Sequence, residues 1–354
     1  MATIVHDPRD ARVSVREISA LIEAGHEVTY LAPFTHFGVE PRSEVTAVDV
    51  PAAFGRHRLR ALRTARQRIR SLASEHDVIV LHSPELLMAV EGMHHPGIVW
   101  DVHEDVPASI SLKSWIPSPL RGVMSHAVAR MEHRAERKYH LLLAETAYQD
   151  RFTRIHPVVP NSTVVPTHVP PTGDDRIVYV GHVTKARGGL ALIDVAERLD
   201  GVVALDVIGA ADDQMRPLLK AAHERGVLRW HGYVANADAL KIVEGALAGL
   251  SLLADEPNYR HSRPTKIMEY LAHGVPAIST PLPAATALIA KSEGGIVVGF
   301  DDVEGVTKAV RRWIDDPVER QRVADVGRSW VAQNANWSLD GPRFVAELER
   351  VANG

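Results

Sequence analysis

The sequence contains no cysteine. Disulfides, thiolate nucleophiles and thiolate metal sites are therefore excluded, and nothing in the chain depends on an oxidising compartment. No apolar run approaches the roughly 18 residues that a membrane-spanning helix needs. The opening residues, Met1 to Asp10, lack a basic segment followed by an apolar stretch, so the expected location is cytoplasmic. Charge of one sign is also missing. A formal net charge of -4 over 354 residues, with 24% of them charged, suggests neither a nucleic-acid binder nor a disordered tail. There is no internal repeat of about 20 to 50 residues, which argues against a solenoid. Histidine is plentiful, but the residues are scattered and lack the i, i+4 helical pairing of a zinc-protease site, so no metal is expected.

What is present is a regular alternation. Thr3-Ile4-Val5 reads as a short strand, Val13 to Ala24 as a helix closed by Gly25, and Val28 to Leu31 as the next strand. Val78 to Leu81, Gly97 to Trp100 and Leu141 to Leu143 continue the series. Strands spaced by helices imply right-handed crossovers and a parallel, doubly wound sheet. The proline-rich stretch Pro166 to Gly173 reads as a linker. Beyond it the pattern restarts with Ile177 to Val180, Leu205 to Ile208, Leu228 to Trp230, Ser251 to Leu253, Ala277 to Ser279 and Ile296 to Val298. The chain length suits two such domains, 1–168 and 174–334, with a cleft between them where a ligand would bind, and a C-terminal helix over 335–354.

The most informative stretch is Asn258 to Thr280. Pro264 fits the first turn of a helix and Gly274 its C-terminal stop, so a helix is expected from about Pro264 to His273. It leaves the carboxyl end of one strand and leads into the next, where the helix N-terminus offers amides and partial positive charge to an anion. Lys266 adds a full charge there, and Glu269, one turn deeper, can accept two hydroxyls. A phosphate site beside a carboxylate suits a nucleoside diphosphate and its ribose.

The run Pro264-Thr265-Lys266-Ile267-Met268-Glu269-Tyr270-Leu271-Ala272, with Gly274 and Pro276 behind it, resembles the nucleotide-sugar motif of retaining GT-B glycosyltransferases of family four. The resemblance implies two Rossmann-like domains, a metal-independent transfer from a nucleotide-diphosphate sugar, and a last helix that crosses back to the first domain. It places the donor ribose on Glu269. Relatives usually carry a second glutamate eight positions earlier, against the donor sugar, and here that place is His261. The loop Gly181 to Leu190 follows a strand, opens a helix and carries two cations. It is similar to the family's diphosphate loop, with Arg187 before Gly188 in the gripping place, Lys185 close by, and His182 where many relatives have arginine. Trp230 to Val234 resembles the segment whose backbone, here Gly232 and Tyr233, holds the base.

In the first domain, Trp100 to Asp105 ends a strand and places His103 at the cleft, where the family has a histidine facing the donor sugar. Histidine can bond a sugar hydroxyl or handle the acceptor's proton, and it is the expected catalytic residue. Glu104 is an acceptor candidate there, or a surface charge at a strand end. Asp10 is as plausible as an N-cap as it is an acceptor contact, and Arg12 is a second acceptor candidate on the same loop. Seven arginines between Arg56 and Arg70, with Leu59, Leu62, Ile69 and Leu72 near helical spacing, fit either a basic amphipathic helix on an anionic membrane or a solvated helix with its stripe in the core. Three functions share these expectations: a glycosyltransferase acting on a small, glycan or lipid-linked acceptor, a sugar-nucleotide epimerase of the same architecture, and a noncatalytic nucleotide-sugar-binding partner.

Overall fold

The computed structural model describes residues 1–103, 118–260 and 264–354. The chain forms two compact units, Met1–Asn161 with Ser338–Gly354, and Ser162–Trp337. The strands of the first are β1 (Thr29–Ala32), β2 (Thr46–Asp49), β3 (Ile79–Leu81), β4 (Ile98–Val102) and β5 (His140–Leu143). β1 pairs with β2, and β3, β4 and β5 pair in that order, all in parallel. The N-terminal segment joins the two groups. Ala2 bridges both Leu31 and Leu81, Ala2 N–H donates to the Val80 carbonyl at 2.8 Å, and Thr3 N–H donates to Leu31 at 2.9 Å. The expected strand at Thr3 is therefore reduced to pairing around Ala2, at the centre of the sheet. Its core holds Ile4, Leu31, Leu81, Ile98, Trp100 and Leu143.

The second unit carries β6 (Arg176–Val180), β7 (Ala204–Ile208), β8 (Arg229–Gly232), β9 (Ala248–Ser251), β10 (Ala277–Ser279) and β11 (Gly295–Val297). They form one parallel sheet in the order β11-β10-β9-β6-β7-β8. Both faces are covered, as all-parallel sheets require. Ile177 and Tyr179 of β6 pack with Leu192, Met215 and Trp313 on one face, while Val178 packs with Met268, Leu271 and Val331 on the other. Such a sheet reverses its strand order between β6 and β9, and ligands bind at the carboxyl ends of the strands where that happens.

Several expectations are corrected. The proline-rich segment is not a free linker: Thr172 donates its N–H to Gln321 Oε1 at 2.9 Å, and Arg320 Nε donates to Thr172 Oγ1 at 3.1 Å, tying the segment to the helix Pro317–Asn334. The first helix begins at Ala11 and is π-helical to Ile18 before turning α-helical over Ser19–Glu23. Arg16 Nε donates to the Ala11 carbonyl at 3.0 Å, spanning the wide first turn. In the arginine-rich helix Arg58–Leu72 the buried stripe is Ala61, Ala65 and Ile69, whereas Leu59 is exposed. Arg66 and Arg70 donate to the carbonyls of Met88 and Glu91. That helix spends its apolar face within the unit. Among the described residues, no helix is long and apolar enough to cross a membrane. The last helix, Trp337–Ala352, belongs to the first unit apart from its first residue, and Glu349 Oε1 lies 3.1 Å from His26 Nε2.

Candidate donor site and strand-end histidine cluster

In the second unit the site grows from the point where β6 and β9 part. Their pairing stops at Val178 and Gly249, and the Tyr270 hydroxyl fills the opening: it accepts the Val180 N–H at 2.9 Å and donates to the Leu250 carbonyl at 3.1 Å. Tyr270 sits on the helix Thr265–Ala272, for which Pro264 supplies the cap position. One residue back, and so on a different side of the helix, Glu269 receives the Asn236 side-chain amide at 3.4 Å. Lys266 lies a turn earlier. Its Nζ stands 3.9 Å from the centroid of the Tyr179 ring, within the distance at which an ammonium is attracted to an aromatic face.

The Lys266 ammonium is out of solvent, although its stem is half-buried, and it has no hydrogen-bond partner among the described residues. Burial pushes its pKa down to about 7, repulsion from Arg187 adds to the shift, and Glu269 opposes it. A buried amine that makes no hydrogen bond and keeps a second cation nearby costs stability unless something anionic arrives. Arg187 comes from the loop after β6, where the Thr184 hydroxyl accepts the Arg187 N–H at 3.1 Å and so closes the turn. Gly188 holds that loop against β9. Its φ is +83°, and a Cβ there would stand 2.2 Å from the Leu252 carbonyl oxygen, so no other residue fits. Gly209 similarly has φ +148° and lets the chain after β7 touch the Gly181 carbonyl, where a Cβ would lie at 2.0 Å.

The expected donor residues are thus distributed around one strand edge. Lys266 interacts electrostatically with both Arg187 and Glu269, Gly188 sets the loop, and Thr265 opens the helix. Lys185 and Tyr233 are exposed, with Tyr233 directly after Gly232, whose carbonyl accepts the Gly209 N–H at 2.7 Å. His261 lies outside the described residues. Tyr179, Asn236 and Tyr270 were not anticipated as parts of the site. Asn236 carried a usable signal, since it opens the helix that follows β8.

The first unit has its own cluster at the carboxyl end of β4. Asp101 is 1% exposed and accepts from Arg12 Nε at 2.9 Å and Arg12 Nη2 at 2.8 Å. Its Oδ2 also meets His103 Nδ1 at 2.8 Å and His82 Nδ1 at 3.3 Å. Burial alone would raise the Asp101 pKa, but Arg12 and His103 outweigh it and hold the carboxyl well below its usual range. Glu17 is pushed the other way, by burial and by the charge on Asp101, although Arg12 Nε is 2.9 Å from its Oε1. One buried guanidinium thus faces two carboxylates, and it holds Asp101 low while burial and the charge on Asp101 hold Glu17 high. Burial also holds His82 down at about 4, so it is neutral at physiological pH.

Arg12, expected to meet an acceptor, is instead 3% exposed and turned inward to Asp101 and the Val159 carbonyl. Asp10 is the N-cap of the first helix, its Oδ1 accepting from the amides of Arg12 and Val13 at 2.9 and 3.1 Å. His103 keeps an 11% exposed side chain beyond the end of β4. Glu104 lies outside the described residues. His82, Asp101 and His103 have ligand atoms close enough for a metal ion, but Asp101 is already chelated by Arg12, and a dication there would face a buried guanidinium.

Residues 174–316 match the family model described as glycosyl transferases group 1. This segment is similar to group 1 glycosyltransferase domains. A glycogen synthase of Mycobacterium tuberculosis is 23% identical over 361 aligned residues, which cover 90% of this chain and 85% of that protein. Among solved structures, the sucrose-phosphate synthase of Thermosynechococcus elongatus superposes with a TM-score of 0.75 at 15% identity, over 99% of this chain and 95% of that one. HepE of Anabaena, solved in complex with UDP and glucose, gives 0.70 at 13% identity over 97% and 96%. The likeness to these structures establishes the α/β, parallel-sheet architecture of GT-B glycosyltransferases. The matched family segment contains the strand edge built from Arg187, Lys266 and Glu269.

Proposed function

We propose that the protein transfers a sugar from a uridine diphosphate sugar to an acceptor hydroxyl, with retention at the anomeric carbon and without a metal. The observation that carries this reading is the buried Lys266 ammonium, without a hydrogen-bond partner among the described residues, set beside Arg187 and Glu269 where β6 and β9 part. The UDP, UDP and glucose, and UDP-glucose complexes of HepE support uridine diphosphate as the donor's nucleotide.

In this reading Arg187, Lys185, Lys266 and the amides around Thr265 hold the diphosphate. They neutralise the charge that builds on it as the glycosidic bond breaks, the main demand of transfer through an oxocarbenium-like centre. Glu269, steadied by Asn236, accepts the two ribose hydroxyls. The backbone at Gly232 and Tyr233 flanks the base, and His261 is the candidate for the donor sugar. His103 handles a sugar or acceptor hydroxyl through Nε2, while Asp101 behind it fixes Nδ1 as the protonated nitrogen. No side chain in the site is assigned as a nucleophile, and retention is attributed to front-face attack by the acceptor. The basic helix Arg58–Leu72 remains the candidate contact for a lipid-linked acceptor at a membrane surface, in a protein proposed to be cytoplasmic.

A thermal-shift panel of UDP, GDP, ADP and the corresponding sugars tests the reading, because a ligand that binds only the folded state raises its stability by mass action. UDP and a UDP-sugar are expected to raise Tm, and Glu269→Ala to abolish the rise. No rise with any nucleotide would overturn the proposal. Incubating the donor alone separates transfer from epimerisation, since an isomerised sugar without any acceptor would contradict transfer.

A further inference from the structure

His6 and His103 are 97 positions apart in the chain, yet their Nε2 atoms lie 3.3 Å apart, with ring centroids at 4.9 Å and planes tilted by 51°. The rings meet at these nitrogens rather than stacking flat. Both belong to segments at the carboxyl end of the first unit's sheet. His103 follows β4, and His6 stands between the pairing at Ala2 and the helix that Asp10 caps.

The hydrogen bonds around the pair run in one direction. Ionised Asp101 only accepts, and its Oδ2 lies 2.8 Å from His103 Nδ1. Neutral His103 therefore carries its proton on Nδ1 and presents a lone pair at Nε2. A bond between the two Nε2 atoms must then be donated by His6, which places the His6 proton on Nε2 and makes Nδ1 an acceptor. Thr3 suits that assignment. Its Oγ1 is 2.9 Å from His6 Nδ1, to which the hydroxyl proton is donated, and it accepts the His6 backbone N–H at 3.2 Å. Arg12 Nε at 2.9 Å and His82 Nδ1 at 3.3 Å also meet Asp101 Oδ2 and hold it in place.

The N–H of one ring thus faces the lone pair of the other. A hydroxyl group is the complement of such a pair, since it accepts through one lone pair and donates its own proton. At 3.3 Å the bond between the rings is longer than an ordinary hydrogen bond, so a hydroxyl replaces it at little cost. With bonds of about 2.8 Å on each side and a tetrahedral oxygen, the two nitrogens would stand about 4.6 Å apart, which asks the rings to part by about 1.3 Å.

We propose that His6 is a second catalytic residue, whose Nε2–H holds the oxygen of the acceptor hydroxyl while His103 Nε2 takes its proton. This role rests on the transfer proposed above, and the proton positions do not. In the step, the acceptor O–H bond breaks and its proton goes to the His103 lone pair. The second lone pair of the oxygen forms the bond to the anomeric carbon. The bond from that carbon to the diphosphate oxygen breaks, and its electron pair leaves on UDP. His103 is then an imidazolium beside Asp101, and it returns the proton to solvent after the product departs. His6 stays neutral and acts by orientation, because pinning one lone pair aims the other.

The test begins without a transfer assay. Long-range nitrogen–proton NMR spectra of the full chain, labelled with heavy nitrogen at histidine and held at alkaline pH, report which ring nitrogen is protonated. His6→Phe and His103→Phe assign the two sets of signals. The Nε2–H form is expected for His6 and the Nδ1–H form for His103. His6 found mainly in the Nδ1–H form would overturn the proposal at its base. UDP-glucose, a ligand in one HepE complex, is then supplied with water as the smallest hydroxyl acceptor, and release of UDP is timed. His6→Phe keeps a ring and loses the N–H, so kcat should fall about 10- to 100-fold. Its Tm and its calorimetric affinity for UDP, whose proposed site lies in the second unit, should match the wild type. His6→Gln restores an N–H at similar reach and should recover most of the rate. A folded His6→Phe that releases UDP at the wild-type rate would overturn the catalytic role, as would a His6→Gln no faster than His6→Phe. A wild type that binds UDP but consumes no UDP-glucose would count against the transfer reading and the step built on it, and the spectra would still decide the proton positions.

Discussion

Charged side chains gather at the carboxyl ends of both parallel sheets, but the two groups are completed differently. In the first unit Arg12 is satisfied by Asp101, which in turn holds His82 and His103, while burial and the charge on Asp101 push the Glu17 pKa up. In the second unit Lys266 makes no hydrogen bond among the described residues; it lies over the face of Tyr179 with an attracting Glu269 and a repelling Arg187 near it. The first arrangement is internally paired and orients an imidazole. The second leaves a charge that a ligand can complete. Pairing within the protein thus separates groups that position from groups that bind, which residue type alone cannot do.

The comparison breaks most severely at Asp101. Asp101→Ala strands Arg12 among buried partners, and breaking a buried pair in this way costs about 3 to 5 kcal/mol, read as a large fall in denaturation midpoint. Glu269→Ala should do the opposite: unfolding without ligand should move by less than about 1 kcal/mol, as for a half-exposed group, while the UDP-induced shift disappears. pH sharpens the contrast next. Diphosphate would raise the Lys266 pKa above its ligand-free value of about 7. The charge contribution to UDP affinity is therefore fully present below pH 7 and is lost as pH rises through that value, by up to about tenfold per unit until the bound-state pKa is reached. Calorimetry at pH 6, 7 and 8 measures it, and an affinity flat across that range would contradict it. The smallest effect is expected at Thr184, whose hydroxyl closes the Arg187 loop: Thr184→Ala should cost about 1 kcal/mol of stability and weaken UDP binding modestly.

Much of this architecture was legible from the chain. Strands β6, β7 and β10 of the second unit are buried on both faces and appear as short apolar runs, so they fall within a residue or so of their expected places. β2, Thr46–Asp49, escaped because it is an edge strand with little buried surface and no apolar run. The N-terminal strand was placed at Thr3 to Val5, whereas pairing centres on Ala2. Within the site, Arg187, Lys266 and Glu269 could be proposed from their place after strands and on a helix. Tyr179 could not, because it reads as one more apolar member of β6 and its ring matters only once Lys266 is folded over it. Arg12 was misdirected for the same reason. Its loop suggested an acceptor contact, but its partner, Asp101, is 89 residues away. The contact between His6 and His103, 97 positions apart, was hidden likewise.

The most direct measurement compares wild type with Lys266→Met, titrating UDP by calorimetry in two buffers of different ionisation enthalpy at pH 8 and recording Tm without ligand. Removing a buried amine that lacks a hydrogen-bond partner among the described residues should raise the ligand-free stability by about 1 to 3 kcal/mol. Losing a charge-assisted contact should weaken UDP binding about 10- to 100-fold, and the proton uptake seen in the wild type should vanish. A substitution that leaves UDP affinity and proton uptake unchanged would contradict the claim that this charge waits for a diphosphate.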